Sequence, residues 1–425
     1  MRLLHGLTFG SNRSLLTGLR IYIYAIPFTY ALSLADGRIT LSLLISAWLA
    51  LMLTFRLLRQ TVILPKLKTS LPFLIFFAFL CFLPQSQLFM GTITSRSLNH
   101  LLAYGISIVG FGLIPMLAVT NIRSPGWANV LLRDIMWTAR LAALAAVIQF
   151  ISSNFLDVFF EDLIYYPNII EAKSMFLGLF FRSRGFAAEP GHYAFTLELL
   201  APLLLYGHSV NPNKSRLVII SDLLLLILAF FSTGSPAGLL IFGLGFLMAA
   251  MLFPPRRVMT WFGFGLIALV VVAGLINVIA EQIAQLNLLD LLSYLFIDKI
   301  DSTSATLRAE RISIGLNLIL DASPLQLLLG YGPAVYEAQN LGEETIIQFY
   351  LLLVLEGGVI GALLFLSGFA LLAANAINQL GQARIFYFWA LLNLALHYCF
   401  ISNYYYPMVW FMFPLLLIMQ AVQKK

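Results

Sequence analysis

The chain has 425 residues, 60% of them hydrophobic and 10% charged, with a mean hydropathy of +0.91 and a formal net charge of +6. So few charges leave no polar surface for a soluble domain of this length, and that class is excluded. Apolar runs such as LLLLILAFF (223–231) and LIALVVVAGLINVIA (266–280) recur from end to end. With their flanks they approach the ~20 residues a helix needs to cross a hydrocarbon core. The expected fold is all-α: a polytopic helical membrane bundle forming one integral domain over 1–425.

The first apolar segment begins near Leu15, carries Arg20 and lacks a small-residue cleavage site. It reads as a retained helix and not as a signal peptide. Breaks in hydropathy predict about twelve transmembrane helices. Their centres fall near Tyr24, Ala47, Phe77, Val109, Leu144, Leu200, Leu225, Gly243, Ile267, Leu363, Leu392 and Phe413. The stretches STGSPAG (232–238) and NYYYP (403–407) mark tight separations between neighbouring spans. Two connections, 152–191 and 281–344, are too long to be turns, and long ordered loops more often carry function than connect. Each holds a short amphipathic stretch, LDVFFEDLIYY (156–166) and LLDLLSYLFIDKI (288–300), expected to lie along the membrane–water interface.

Basic residues such as Arg13, Arg56, Lys66, Arg123, Lys214, Arg256 and Arg384 fall in alternate loops on the side of both termini. The opposite loops hold nearly all the loop acids. The positive-inside rule then puts both termini in the cytoplasm and the two long loops outside. This placement explains the net positive charge without a nucleic-acid partner, and the short basic loops carry no interleaved aromatics. Cys81 and Cys399 sit in apolar segments, so no disulfide framework is implied. No internal repeat is visible.

The stretch FRSRGFAAEPGHYAF (181–195) concentrates polar chemistry at the end of the first outer loop. Arg182 and Arg184 form a pair able to clamp phosphate oxygens through forked, charge-assisted hydrogen bonds. Glu189 precedes Pro190, and proline commonly begins a helix. There the carboxylate sits at the positive end of the helix, which favours its ionised form and fits it to take a proton from a sugar hydroxyl. His192 lies one turn away and is placed to assist. The competing reading makes Glu189 a helix cap and the arginines headgroup binders.

The second outer loop repeats the theme in SATLRAERISIGLNLIL (304–320). Arg308 and Arg311, three apart, share a helical face, and Glu310 points elsewhere. Downstream, LLLGYGPAVYEAQNLGEETIIQFYLLLVLEGGVIGALLFL (327–366) places Gly330 and Gly332 around a tight turn. Gly357, Gly358 and Gly361 read as helix-packing glycines. Within the membrane, Arg133 and Arg140 share a face, with Asp134, Glu198, Asp222 and Glu356 as acidic counterparts. Arg140 and Tyr331 are candidates for lining a lipid path, and an ion pair of Arg140 with Glu198 or Asp222 is the plainer alternative. No Walker loop, GxSxG elbow or clustered Cys/His spacing is present, and the histidines at 5, 100, 192, 208 and 397 look too scattered to form a site.

The order RxRGxxxEPxH, then Rxx[ER], then LLGYGP and YLLLxLExGxxGxLLFL resembles the O-antigen polymerase/ligase (Wzy-like) superfamily, over residues 180–195 and 304–366. The resemblance implies a glycosyltransferase of the bacterial inner membrane that acts on the periplasmic side. Its donor and acceptor would be undecaprenyl-diphosphate-linked glycans. It also implies that Arg182, Arg184 and one of Arg308 and Arg311 hold the diphosphate. Two departures stand out. The common Glu-Pro-Ser is Glu189-Pro190-Gly191 here, and the His-Asn pair that ligases carry before the LExG glutamate is Ile347-Gln348. The second favours a polymerase over a ligase acting on lipid A–core.

Arginines that hold a leaving diphosphate replace a metal, so no metal and no cofactor are expected. Glu189 serves as base with His192 as fallback, and a single displacement inverts the anomeric centre. Further expected partners are membrane lipids and a chain-length regulator protein. Readings from other classes are a lipid-linked oligosaccharide transporter with a cavity lined by Arg133, Arg140, Glu198 and Asp222, and a non-catalytic scaffold for envelope assembly. The transporter would be expected to show internal repeats and broken helices.

Overall fold

The computed structural model describes residues 12–35, 38–59, 61–90, 95–167, 175–176, 180–211, 215–253, 303–335, 346 and 348–423. The span expected near Ile267 and the amphipathic stretch at 288–300 lie outside the described residues. The other eleven expected centres all fall within helices.

In chain order these are α1 (Asn12–Ala25), α2 (Leu41–Leu58), α3 (Leu67–Met90), α4 (Ser95–Thr120), α5 (Trp127–Phe155) and the short α6 (Phe160–Leu163). An antiparallel ribbon of β1 (Met175–Phe176) and β2 (Phe180–Phe181) pairs Met175 with Phe181. Then come α7 (Pro190–Ser209), α8 (Arg216–Thr233), α9 (Pro236–Leu252), α10 (Thr303–Leu320) and α11 (Pro324–Leu329). The chain ends on α12 (Phe349–Gln379), α13 (Arg384–His397) and α14 (Pro407–Gln423). Among the described residues, six helices are long and apolar enough to cross a membrane: α2, Ser70–Leu88 within α3, α4, α5, α8 and α12. The amphipathic stretch at 156–166 is helical only over Phe160–Leu163, because Asp157 takes a left-handed conformation with φ of 54° and breaks the chain there.

Local chemistry sets several of these ends. Thr40, Ser215 and Ser235 accept from the first-turn amides of α2, α8 and α9. Ser323 and Gln326 form a reciprocal capping box on α11, which satisfies two otherwise orphaned groups. α4 loosens into a π-helix over Ile106–Leu113. Gly110 O there accepts from Ser46, and Phe111 O accepts from Tyr22 at 3.1 Å.

α7 is the centre of the bundle. Its side chains are buried on every face, from Tyr193 through Leu205 to His208, and α5, α8, α9 and α13 pack around it. A helix apolar all round is a core helix. A second contact zone joins α3, α12 and α14. There Phe76 meets Phe365, Phe369, Trp410 and Phe413 edge-on at 5.1–5.7 Å. Lipid tails are as apolar as these rings, so close aromatic packing, about 0.5–1.5 kcal/mol per pair, holds the helices together here.

α12 is kinked. Gly358 has φ 61° and ψ −167°, non-helical values inside a continuous run, and a Cβ there would lie 2.3 Å from Leu328 O. The kink releases the carbonyls of Leu355 and Glu356, which accept from the amides of Tyr331 (2.7 Å) and Gly332 (3.0 Å). The GYG turn thus docks on the helix it precedes in sequence. Gly357 and Gly361 do face neighbouring side chains of α3, namely Phe79, Leu83 and Phe82. Gly358 instead makes a bend, which hydropathy alone did not reveal.

Candidate active site at the head of the central helix

The loop that delivers the chain to α7 is built on one glutamine. Gln149, 3% exposed on α5, accepts through Oε1 from Ser183 Oγ (2.8 Å), Arg184 N (2.9 Å) and Gly185 N (2.7 Å). Asn154 adds a two-way bridge to the backbone of Phe181. Ser183 N donates to Ser232 O at 2.8 Å, and Arg182 Nε donates to Thr233 O at 2.9 Å. The loop is therefore tied to both α5 and the end of α8. Gly185 turns the chain with φ of 49°, and a Cβ at this position would fall 2.1 Å from the Tyr193 ring.

Of the residues singled out by sequence, Arg184 is buried at 3% exposure. Its guanidinium lies 4.3 Å over the Tyr166 ring, and Nη1 donates to Ala188 O at 3.3 Å. Tyr166 in turn donates to Gly185 O. Arg182 is half-buried. This pair braces the loop in the structure. Tyr331 is buried as well, donating to Leu318 O at 2.8 Å. Arg140 pairs with Asp222, Nε to Oδ1 at 2.9 Å and Nη2 to Oδ2 at 2.7 Å, and stacks 5.0 Å over Trp137.

Glu189 is the N-cap of α7, with Pro190 as the first helical residue. Its side chain is exposed and makes no cap hydrogen bond, so the carboxylate is not consumed by the helix it starts. Its charge acts on His192, Tyr405 and Tyr406. His192, one turn into α7, is approached from the loop between α13 and α14. Asn403 Nδ2 lies 3.2 Å from His192 Nε2 and 2.9 Å from Tyr406 Oη, and the Tyr406 ring stands edge-on to the imidazole at 5.6 Å. His192 Nδ1 is buried and has no hydrogen-bond partner among the described residues. Burial pushes the Tyr406 phenol well above its ordinary range, and the neighbouring Tyr405 and Glu189 act in the same direction against the Asn403 hydrogen bond. Tyr406 stays protonated at neutral pH.

Arg308, exposed on α10, acts electrostatically on both His192 and His397. The end of α7 and the second basic cluster, more than a hundred residues apart in sequence, therefore share one neighbourhood. Arg311 is half-buried on the same helix.

Beneath this head lie buried acid–histidine pairs. His397 Nδ1 meets both Glu198 oxygens at 2.8 and 2.9 Å, with Phe195 4.5 Å from the imidazole. Glu356, fully buried, is 2.6 Å from His100 Nδ1 and accepts from Tyr104 Oη (2.7 Å) and Ala334 N (3.2 Å). Tyr404 stacks on Tyr104 at 3.9 Å, so the NYYYP loop links this cluster to His192. Asp222 also meets His208 Nε2 at 2.6 Å, and Asp134 accepts from Arg20 Nε at 2.7 Å. Two of these acids thus pair with an arginine of an expected span, Asp222 with Arg140 and Asp134 with Arg20.

The histidines are therefore not scattered in space. Those at 100, 208 and 397 each face a carboxylate, and those at 192 and 397 lie on adjoining helices, where the charge of Arg308 acts on both. Sequence reasoning treated NYYYP as a separator and missed Asn403 and Tyr406. The signal was a run of three tyrosines between an asparagine and a proline at the mouth of two spans. Gln149 had a weaker signal, one amide in the apolar run LAALAAVIQF. Among the described residues no three His, Cys, Asp or Glu side chains come together as metal ligands do. No family model matches the chain, and no curated protein matches it.

Proposed function

We propose that the protein is a membrane glycosyltransferase that polymerises lipid-diphosphate-linked oligosaccharide repeat units, as the resemblance to the Wzy-like superfamily implies. The observation that carries this reading is Glu189 and His192 at the head of one buried helix, a carboxylate that makes no cap hydrogen bond and an imidazole three residues on, with Arg308 of α10 acting electrostatically on the imidazole. In the reaction, the acceptor sugar hydroxyl attacks the anomeric carbon of the donor, and the bond from that carbon to the diphosphate oxygen breaks. Glu189 takes the hydroxyl proton. The diphosphate leaves with its electron pair, its charge held by Arg308 and Arg311, so the anomeric centre inverts. Charge stabilisation of this kind is most effective where water is excluded. Arg182 and Arg184 serve by bracing the loop that presents Glu189.

The reading includes twelve spans with the site on the outer face of a bacterial inner membrane and both termini in the cytoplasm, as the charge distribution of the loops supports. Gln348, where a ligase carries part of its His-Asn pair, favours polymer extension. The test is the purified full chain supplied with lipid-linked repeat units. A ladder of products supports the polymerase. A single transfer seen only when lipid A–core is added would make it a ligase, and movement of intact units across a vesicle without bond formation would make it a transporter.

A further inference from the structure

We infer that Asn403 is a positioning residue that holds the His192 imidazole neutral with its proton on Nδ1, so that His192 donates a hydrogen bond and does not accept one. A neutral imidazole has one donor and one acceptor nitrogen, and the partner of one nitrogen decides the state of the other. The amide nitrogen of Asn403 sits 3.2 Å from His192 Nε2 and can only donate, so Nε2 presents its lone pair. The same amide nitrogen uses its second hydrogen on Tyr406 Oη at 2.9 Å. In this arrangement the amide gives one hydrogen to each neighbour.

The loop that carries Asn403 has little freedom to swing away. Tyr404 is stacked on Tyr104 with 8° between the ring planes, Tyr404 N donates to Ser402 O at 2.8 Å, and Trp410 Nε1 donates to Tyr404 O at 2.7 Å. The charged and titratable groups that act on or face His192 are Glu189 at the helix cap, Arg308 from α10, His397 from α13 and Tyr406 from the loop.

With Nε2 committed, Nδ1–H is a buried donor that no group among the described residues accepts. Proteins rarely leave such a donor unmatched outside functional sites. His192 is the third helical residue after the Glu189 cap, the position whose side chain reaches back toward the cap. On the glycosyl-transfer reading, on which this division of roles rests, a ring with Nε2 committed and Nδ1 protonated cannot take the hydroxyl proton, and proton abstraction falls to Glu189 alone. The protonation state itself is independent of that reading.

The experiment is nitrogen NMR on the full chain labelled with 15N-histidine, in detergent, with the His192 signals assigned by their loss in His192→Gln. The wild-type ring is expected as the Nδ1–H form. Asn403→Asp, whose carboxylate can only accept from Nε2–H, is expected to move the proton to Nε2 or add a second one. A wild-type ring protonated on Nε2 overturns the inference without any variant. So does an Asn403→Asp chain that keeps the Nδ1–H form. Absence of glycosyl transfer by a wild-type chain whose ring is Nδ1–H defeats the proposed reaction and leaves the role of Asn403 standing.

Discussion

Replacing Gln149 by leucine removes the acceptor on which the loop before α7 is built while keeping most of the side-chain volume. Three donors lose Gln149 Oε1: the Ser183 hydroxyl and the amides of Arg184 and Gly185. The hydroxyl can rotate to another acceptor, but the two backbone amides are fixed in a turn that Gly185 holds at φ 49°. A buried donor left unmatched costs about 1–3 kcal/mol, so the two together weaken the loop by roughly 2–6 kcal/mol. The loss is local, because α5 and α7 keep their other contacts. Hydrogen exchange followed by mass spectrometry on the full chain in detergent reads it directly. At about 1.4 kcal/mol per tenfold, amides over 182–187 should exchange about thirtyfold faster or more, while those in the middle of α5 keep their protection. On the proposed function, glycosyl transfer should fall with it, because the loop presents Glu189. Unchanged exchange over 182–187 in a folded variant would show that Gln149 does not hold the loop.

Glu189→Gln should lower single-turnover polymer formation by roughly 10²–10⁴-fold with donor binding intact. Its structural cost is small, because the carboxylate makes no cap bond, and near-normal turnover would refute the base assignment. Arg308→Lys keeps the charge but loses the forked geometry; donor affinity should weaken about tenfold or more, equivalent to one charged hydrogen bond, and equal affinity in a direct binding assay would count against a diphosphate contact. Gly358→Ala must adopt φ 61° and place a Cβ 2.3 Å from Leu328 O. Strain of about 1–3 kcal/mol plus displacement of the GYG turn should lower the melting temperature in detergent, and an unchanged melt would mean the kink is dispensable. Polymerisation should persist in excess chelator, since arginines are assigned the charge of the leaving group; full loss restored by magnesium or manganese would contradict this.

The sequence by itself determined that the chain is mostly helical with apolar helices of membrane type, and where eleven of them are centred. Continuous hydropathy over about 20 residues is a local property, and eleven of the expected centres fall within observed helices. It also placed Glu189 as the first residue outside α7, because proline at the first helical position is a local signal too. Partner choice was a different matter. Arg184 and Arg308 look alike in sequence, both arginines of an expected outer loop, yet one lies buried over Tyr166 and the other is exposed with its charge acting on His192. Glu198, Asp222 and Glu356 gave no sign that they would each face a histidine, since those contacts span up to 256 residues. Asn403 reaches His192 across 211 positions. Contacts at such separations depend on which helix faces pack together, and an apolar helix that is buried all round, as α7 is, shows no polar stripe from which that packing could be read.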